Sequence, residues 1–181
     1  MIRIIDSFHN ADEILWSALN ERASNGSFFQ TPAYFRFLKK TVGHDPFVFI
    51  GAKEGSYSIL IMGSVQYSSS PLVKKFSRRA IVNGGLVTDP EADADDITAF
   101  LTYLSKSLSK RAMYLEIRNL NDYSAFNPLF DAAGFSRVAH LNYQVSVNSS
   151  EDAFRHLSQS RRRQVRKSLD GGAKVDRKSV V

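Results

Sequence analysis

The apolar positions of this chain fall into two alternating rhythms. Residues 2–5 (Ile-Arg-Ile-Ile) predict a short first strand, and Ile14, Leu15, Ala18 and Leu19 follow helical spacing, so residues 11–23 predict an amphipathic helix. Ser24-Asn-Gly-Ser27 breaks it. Pro32 suits the first turn of a second helix over 32–42, carried by Tyr34, Phe35, Phe37 and Leu38 and ended by Gly43. Phe47-Val-Phe-Ile50 is a buried strand, Lys53-Glu-Gly-Ser56 a turn, and residues 57–66 the returning strand of a hairpin.

After a polar loop over 67–78, residues 80–82 form a strand leading into Asn83-Gly-Gly85. Ile97, Phe100, Leu101, Leu104 and Leu108 define the clearest helix, over 94–110, with Asp93, Asp95 and Asp96 near its start and Lys106, Lys110 and Arg111 near its end. Residues 113–117 read as a strand. Asn127-Pro128 reads as a cap and first-position proline for a helix over 127–133, and Gly134 closes it. A long strand region follows over 135–147, and Ser149 with Asp152 opens another helix as a capping pair. Strands mixed with helices around a central hairpin predict an α/β (α+β) fold, a mixed β-sheet flanked by helices on both faces.

Charge changes this picture at one end. Residues 155–181 carry a formal charge of plus seven and residues 1–154 minus one. In a straight helix over 151–169, Phe154, Leu157, Val165 and Leu169 would share one face, with Arg162, Arg163, Arg166 and Lys167 opposite; Ser158-Gln-Ser160 is a place for that helix to break. Four cations within six residues predict contact with phosphates. Folded nucleic acid, a nucleotide-sugar diphosphate and an anionic lipid headgroup all fit.

Other chemistry is sparse. There is no cysteine, no apolar run long enough to span a membrane, and no HExxH, GxSxG, P-loop or GxGxxG motif. His9, His44, His140 and His156 lack ligand spacing, and Asp93, Asp95 and Asp96 read as a solvated helix start rather than a metal site, so no metal is expected. Around the second helix Gln30, Arg36 and Lys39 are the polar residues among dense aromatics. Arg36 has the chemistry to hold an anionic group by paired hydrogen bonds.

Phe28-Phe-Gln-Thr-Pro-Ala-Tyr-Phe-Arg36, a strand hairpin, Asn83-Gly-Gly85, Leu129-Phe-Asp-Ala-Ala-Gly-Phe135, and Arg162-Arg-Gln-Val-Arg-Lys-Ser168 with Gly172-Ala-Lys-Val175, in that order, resemble the Fem-type aminoacyltransferases of peptidoglycan bridges, within the GNAT-like superfamily. The resemblance implies a first GNAT-like domain over 1–150, and over 151–181 a basic linking helix and the start of a second GNAT-like domain beyond this chain. It implies transfer of an acyl or aminoacyl group from aminoacyl-tRNA to a nucleotide-linked or lipid-linked glycan precursor, in the cytoplasm or at the inner membrane face.

By the same resemblance Arg36, with Gln30 and Lys39, would bind the acceptor, and Arg162, Arg163, Arg166 and Lys167 would bind tRNA, precursor or an anionic membrane surface. The residues that complete catalysis would lie outside the chain, leaving this segment inactive alone. The Arg/Gln-x-x-Gly-x-Gly/Ala loop of acetyl-CoA-binding members is missing, so acetyl-CoA is not the expected donor and no resident cofactor is expected. Two alternatives stay open: a non-catalytic GNAT-like module whose basic tail binds RNA, and a surface-polysaccharide N-acyltransferase.

Overall fold

A computed structural model describes residues 2–68, 76–140 and 147–173. The chain divides into two units, Met1–Ala139 and His140–Val181.

In the first unit the described strands build one mixed sheet. They are β1 (Arg3–Ile5), β2 (His44–Lys53), β3 (Ser56–Gln66), β4 (Arg79–Asn83), β5 (Val87–Thr88) and β6 (Leu115–Arg118), in the order β1-β2-β3-β4-β6, with β5 also paired to β3. Among these described strands only β4 and β6 run parallel. The predicted hairpin lies at the centre. Its two-residue turn has both Glu54 and Gly55 at positive φ, the twist that a tight hairpin requires.

The hairpin strands are apolar on both faces, and successive side chains go to opposite layers. Phe47, Phe49, Ile59, Ile61 and Val65 pack with α3 (Ala94–Leu108), which buries Ile97, Phe100, Leu101, Leu104 and Leu108. Val48, Ile50, Leu60 and Met62 pack under α1 (Glu13–Arg22) and α2 (Pro32–Lys40), through Trp16, Leu19, Phe35 and Leu38. The helix starts are capped as their sequences suggest. Asp12 accepts from the Ile14 and Leu15 amides, Thr31 from Tyr34, and Asp93 from Asp95 and Asp96.

A short helix, α4 (Asn127–Ala132), corrects one expectation: Asn127 is its first residue rather than its cap, and Phe126 precedes it without a side-chain cap bond. The strand expected over 135–147 is a second correction, because residues 135–140 and 147 are not strand and 141–146 lie outside the described residues. Most of the 67–78 loop, residues 69–75, also lies outside them. Missed by the periodicity are β5 and three 3-10 turns, at Phe8–Asn10, Phe28–Gln30 and Ser124–Phe126, all too short to show a period.

One polar side chain ties the helical layer to the sheet. Between the rung Ser64–Ile81 of β3–β4 and the rung Leu60–Val87 of β3–β5, the strands part. Gln30, with no exposed surface, fills the gap. Its Oε1 accepts from the Met62 amide at 2.7 Å, and its Nε2 donates to the Met62 and Asn83 carbonyls at 2.9 and 2.8 Å. The side-chain amide thus stands in for a peptide group. Its own backbone carbonyl accepts from Trp16 Nε1.

The second unit holds α5 (Ser150–His156) and α6 (Gln159–Asp170). The basic stretch is helical, and the chain breaks at Leu157–Ser158. Ser149 caps α5 through the Asp152 amide, and Ser158 caps α6 through that of Arg161.

Replacing Gln30 by Leu leaves a buried amide and two carbonyls unpaired; urea unfolding is expected to show a loss of about 3 kcal/mol, from a cost of about 1–3 kcal/mol per unsatisfied group. An unchanged midpoint would mean that water replaces the amide.

Candidate functional site

The apolar cluster under α1 and α2 takes in residues of β2, β3 and β5 but none of β4 or β6, although Ile81 of β4 is itself buried, at 2% exposure. In those two strands Ala80, Val82, Leu115 and Ile117 turn to the α3 side. Register therefore puts Arg79, Ile81 and Asn83 on the opposite face, beside Glu116 and Arg118. His44 and Ser64 lie on this same face of the hairpin, joined Nδ1 to Oγ at 2.9 Å. The result is a polar shelf. On it Arg118 donates to Glu116 at 2.7 Å, with the side chains 53% and 42% exposed. The carboxylate pushes the Arg118 pKa above its ordinary value, so the guanidinium stays charged at any working pH.

The shelf ends where β4 turns at Gly84–Gly85. Both residues have positive φ, and a side chain at Gly85 would collide with the Tyr123 hydroxyl and Asn119 Oδ1, each 2.6 Å from the Cβ position. Tyr123 locks the turn from below by donating to the Leu86 carbonyl at 2.7 Å, and Asn25 Nδ2 donates to the same oxygen. Burial pushes the Tyr123 phenol up to about 12.

Of the residues singled out from sequence, Gln30 is committed to the fold, its amide bonded to Met62 and Asn83 rather than presented to a ligand. Arg36 is exposed on α2. Both oxygens of Glu13 hold its guanidinium, which lies 5.7 Å above the Phe8 ring, so an anionic ligand must displace Glu13 to reach it. Lys39 is exposed one turn further on. The aspartates near α3 are engaged in its start: Asp93 caps it and Asp96 pairs with Lys53. Among the described residues no group of His, Cys, Asp or Glu is placed to hold a metal ion, and no helix is long and apolar enough to cross a membrane.

In the second unit α5 and α6 enclose an open cleft of about 810 Å³ lined by five cations, Arg155, Arg162, Arg163, Arg166 and Lys167, with Phe154 and Gln159 and two acids, Glu151 and Asp170. Arg162 is fixed by its bond to the Arg155 carbonyl at 3.0 Å, and Arg166 lies 5.3 Å above the Phe154 ring. Four of these cations were singled out from sequence, and the break at Leu157–Ser158 adds Arg155 to them. Glu116, Arg118, Arg79, His44 and Ser64 were not. The alternation of Leu115-Glu-Ile-Arg118 marks an outward-facing pair, yet nothing in it says that α1 and α2 stop short of this part of the sheet among the described residues.

No family model and no curated protein matches the chain. Solved structures do. A glucosamine-6-phosphate N-acetyltransferase from Arabidopsis thaliana matches at TM-score 0.54 and 9% identity, over 80% of this chain and 98% of that one. An aminoglycoside N-acetyltransferase in complex with CoA matches at 0.55 and 11%, over 81% and 95%. A predicted acetyltransferase from Clostridium acetobutylicum, with acetyl-CoA, matches at 0.52 and 13%, over 80% and 96%. The chain has the GNAT acetyltransferase fold. At these identities the likeness is one of fold, and the relatives that share it act on different acceptors.

The phenol of Tyr123 gives this fold a pH signature. Its folded pKa lies above its ordinary value of 10, so between about pH 10 and about pH 12 the unfolded chain loses a proton that the folded chain keeps. Stability from this group is complete below about pH 10 and is lost as pH rises to about 12. Tyr123→Phe is expected to flatten that part of the stability–pH curve, read by urea unfolding at stepped pH. A parallel curve would place the titration elsewhere.

Proposed function

We propose that the chain belongs to an acyl or aminoacyl transferase of Fem type, moving an activated acyl group onto an amine of a cell-surface glycan precursor. The observation that carries this reading is the gathering of cations on α6 and in the α5–α6 cleft rather than in the first turns of α1, α2 and α3. In a fold shared with acetyltransferases, the amides at the starts of α1, α2 and α3 are taken by Asp12, Thr31 and Asp93, and α3 adds Asp95 and Asp96 in its first turn. A pyrophosphate held at a helix start needs those amides free and no carboxylate beside them. The cations are gathered instead in the α5–α6 cleft. This favours a donor or acceptor recognised through many phosphates, such as aminoacyl-tRNA, over acetyl-CoA.

Where the family resemblance puts the completing residues outside the chain, this reading puts the reacting groups within it, on the polar shelf. The acceptor amine attacks the acyl carbonyl carbon, a nitrogen–carbon bond forms, and the carbon–oxygen bond to the leaving hydroxyl breaks. Glu116 takes the proton that the amine sheds and returns it to the leaving oxygen as that departs, so the step is proton-neutral. Arg118 holds the Glu116 carboxylate in place. Positioning of the two substrates supplies the rest of the rate. The cleft also favours a second reading, a module that binds RNA without turnover. Product formation separates the two.

The test is mass spectrometry of glycan-precursor amines incubated with this protein and either charged tRNA or acetyl-CoA. An adduct from charged tRNA supports the reading, whereas acetyl transfer from acetyl-CoA or no adduct refutes it. Glu116→Gln is expected to lower kcat by roughly 10²–10⁴ with little change in KM, the usual reach of a general base. Equal turnover in steady-state assays would remove Glu116 from the chemistry. Reversing Arg162, Arg163, Arg166 and Lys167 to Glu should weaken tRNA binding and flatten its salt dependence, by roughly 0.7–0.9 in log–log slope for each phosphate that is no longer neutralised. Identical binding in filter assays across a salt series would make the cleft a solvated surface.

A further inference from the structure

The first unit carries an aromatic strip of which its core uses only Tyr34, partly buried against the cluster under α1 and α2. Phe28 is 64% exposed and Phe37 59% exposed, and Tyr34 lies between them, its ring 5.5 Å from Phe28 and 5.8 Å from Phe37 between centroids. Val42, just past α2, is 88% exposed. The strip is rigid, because Phe35 and Leu38 anchor the same helix in the core. Every charged residue of α2 is basic: Arg36, Lys39 and Lys40, all exposed.

We propose that the outer face of α2, with the 3-10 turn before it, docks onto an anionic lipid surface. Aromatic and aliphatic side chains on the outside of a short helix enter the boundary between headgroups and acyl chains, and lysines beside them meet anionic headgroups. Charge complementarity chooses this occupant. A second copy of the chain would set Lys39 and Lys40 against their own kind. A neutral saccharide would leave both without a counterpart. For a nucleic acid, Tyr34 and Phe37 are stacked on each other, with an angle of 18° between their planes, and leave no slot for a base; Val42 offers nothing to stack on. The proposal does not rest on the transferase reading, since vesicle binding is measured without turnover.

The test places a reporter in the strip of the whole chain. The native tryptophan, Trp16, has no exposed surface and gives a constant background. In Phe37→Trp and Phe28→Trp, phosphatidylcholine vesicles containing phosphatidylserine are expected to shift the emission to the blue, and brominated lipid is expected to quench it. Lys39→Gln with Lys40→Gln in the reporter background should weaken that response roughly thirty-fold, about 1 kcal/mol for each lysine. A reporter that stays unshifted overturns the proposal, even if the vesicles capture the protein through the α5–α6 cations. A shift produced by RNA or a soluble oligosaccharide but not by vesicles overturns it too. So does an emission already blue-shifted without vesicles together with a dimeric mass in sedimentation, which would mean that a second copy covers the strip.

Discussion

The first unit depends on one side-chain amide. Where β3 and β4 part, the sheet lacks a rung, and buried backbone groups without partners cost about 1–3 kcal/mol each. Gln30 replaces the rung with its own amide and bonds to both backbone groups of Met62 and to the Asn83 carbonyl. Because Gln30 sits at the entry to α2, and its carbonyl accepts from Trp16, the same residue fixes where α1 and α2 lie on the sheet. The parting of the strands and the placement of the helices are one arrangement.

That arrangement creates the shelf. With α1 and α2 held over β2 and β3, the β4–β6 part of the same face keeps the polar side chains Arg79, Asn83, Glu116 and Arg118 around a buried Ile81. The Gly84–Gly85 turn, sealed by Tyr123, ends it. The face behind is the opposite case, because α3 packs five buried side chains against it. One sheet therefore has one face packed under α3 and part of the other left with exposed polar side chains.

Charge is partitioned in the same spirit. Among the described residues of the first unit, several cations outside α2 are answered by acids, as in Arg22–Asp89, Arg111–Asp45 and Arg118–Glu116. On the face of α6 that meets α5, cations outnumber acids, and the cleft keeps a net positive field. Exposed pairs add little to stability, on the order of 0–1 kcal/mol. Their effect is to leave the positive field where it is not cancelled.

The sequence by itself determined the elements whose period repeats. The β2–β3 hairpin is apolar on both faces for ten residues or so, α3 returns a large apolar side chain every third or fourth position, and the basic run of α6 is legible as charge. Each is a local pattern, and local patterns survive without knowledge of the neighbours. Gln30 was legible only as a polar residue among aromatics, and its likeness to a family suggested a ligand; burial assigns it to the backbone of β3 and β4 instead. The shelf was not legible at all. An outward-facing Glu116 and Arg118 look the same whether a helix covers them or not. Of the strand expected over 135–147, residues 135–140 are not strand, for a related reason: alternation permits a strand, but a partner edge has to accept it. Coverage and pairing are properties of distant segments meeting, and only the tertiary structure decides them.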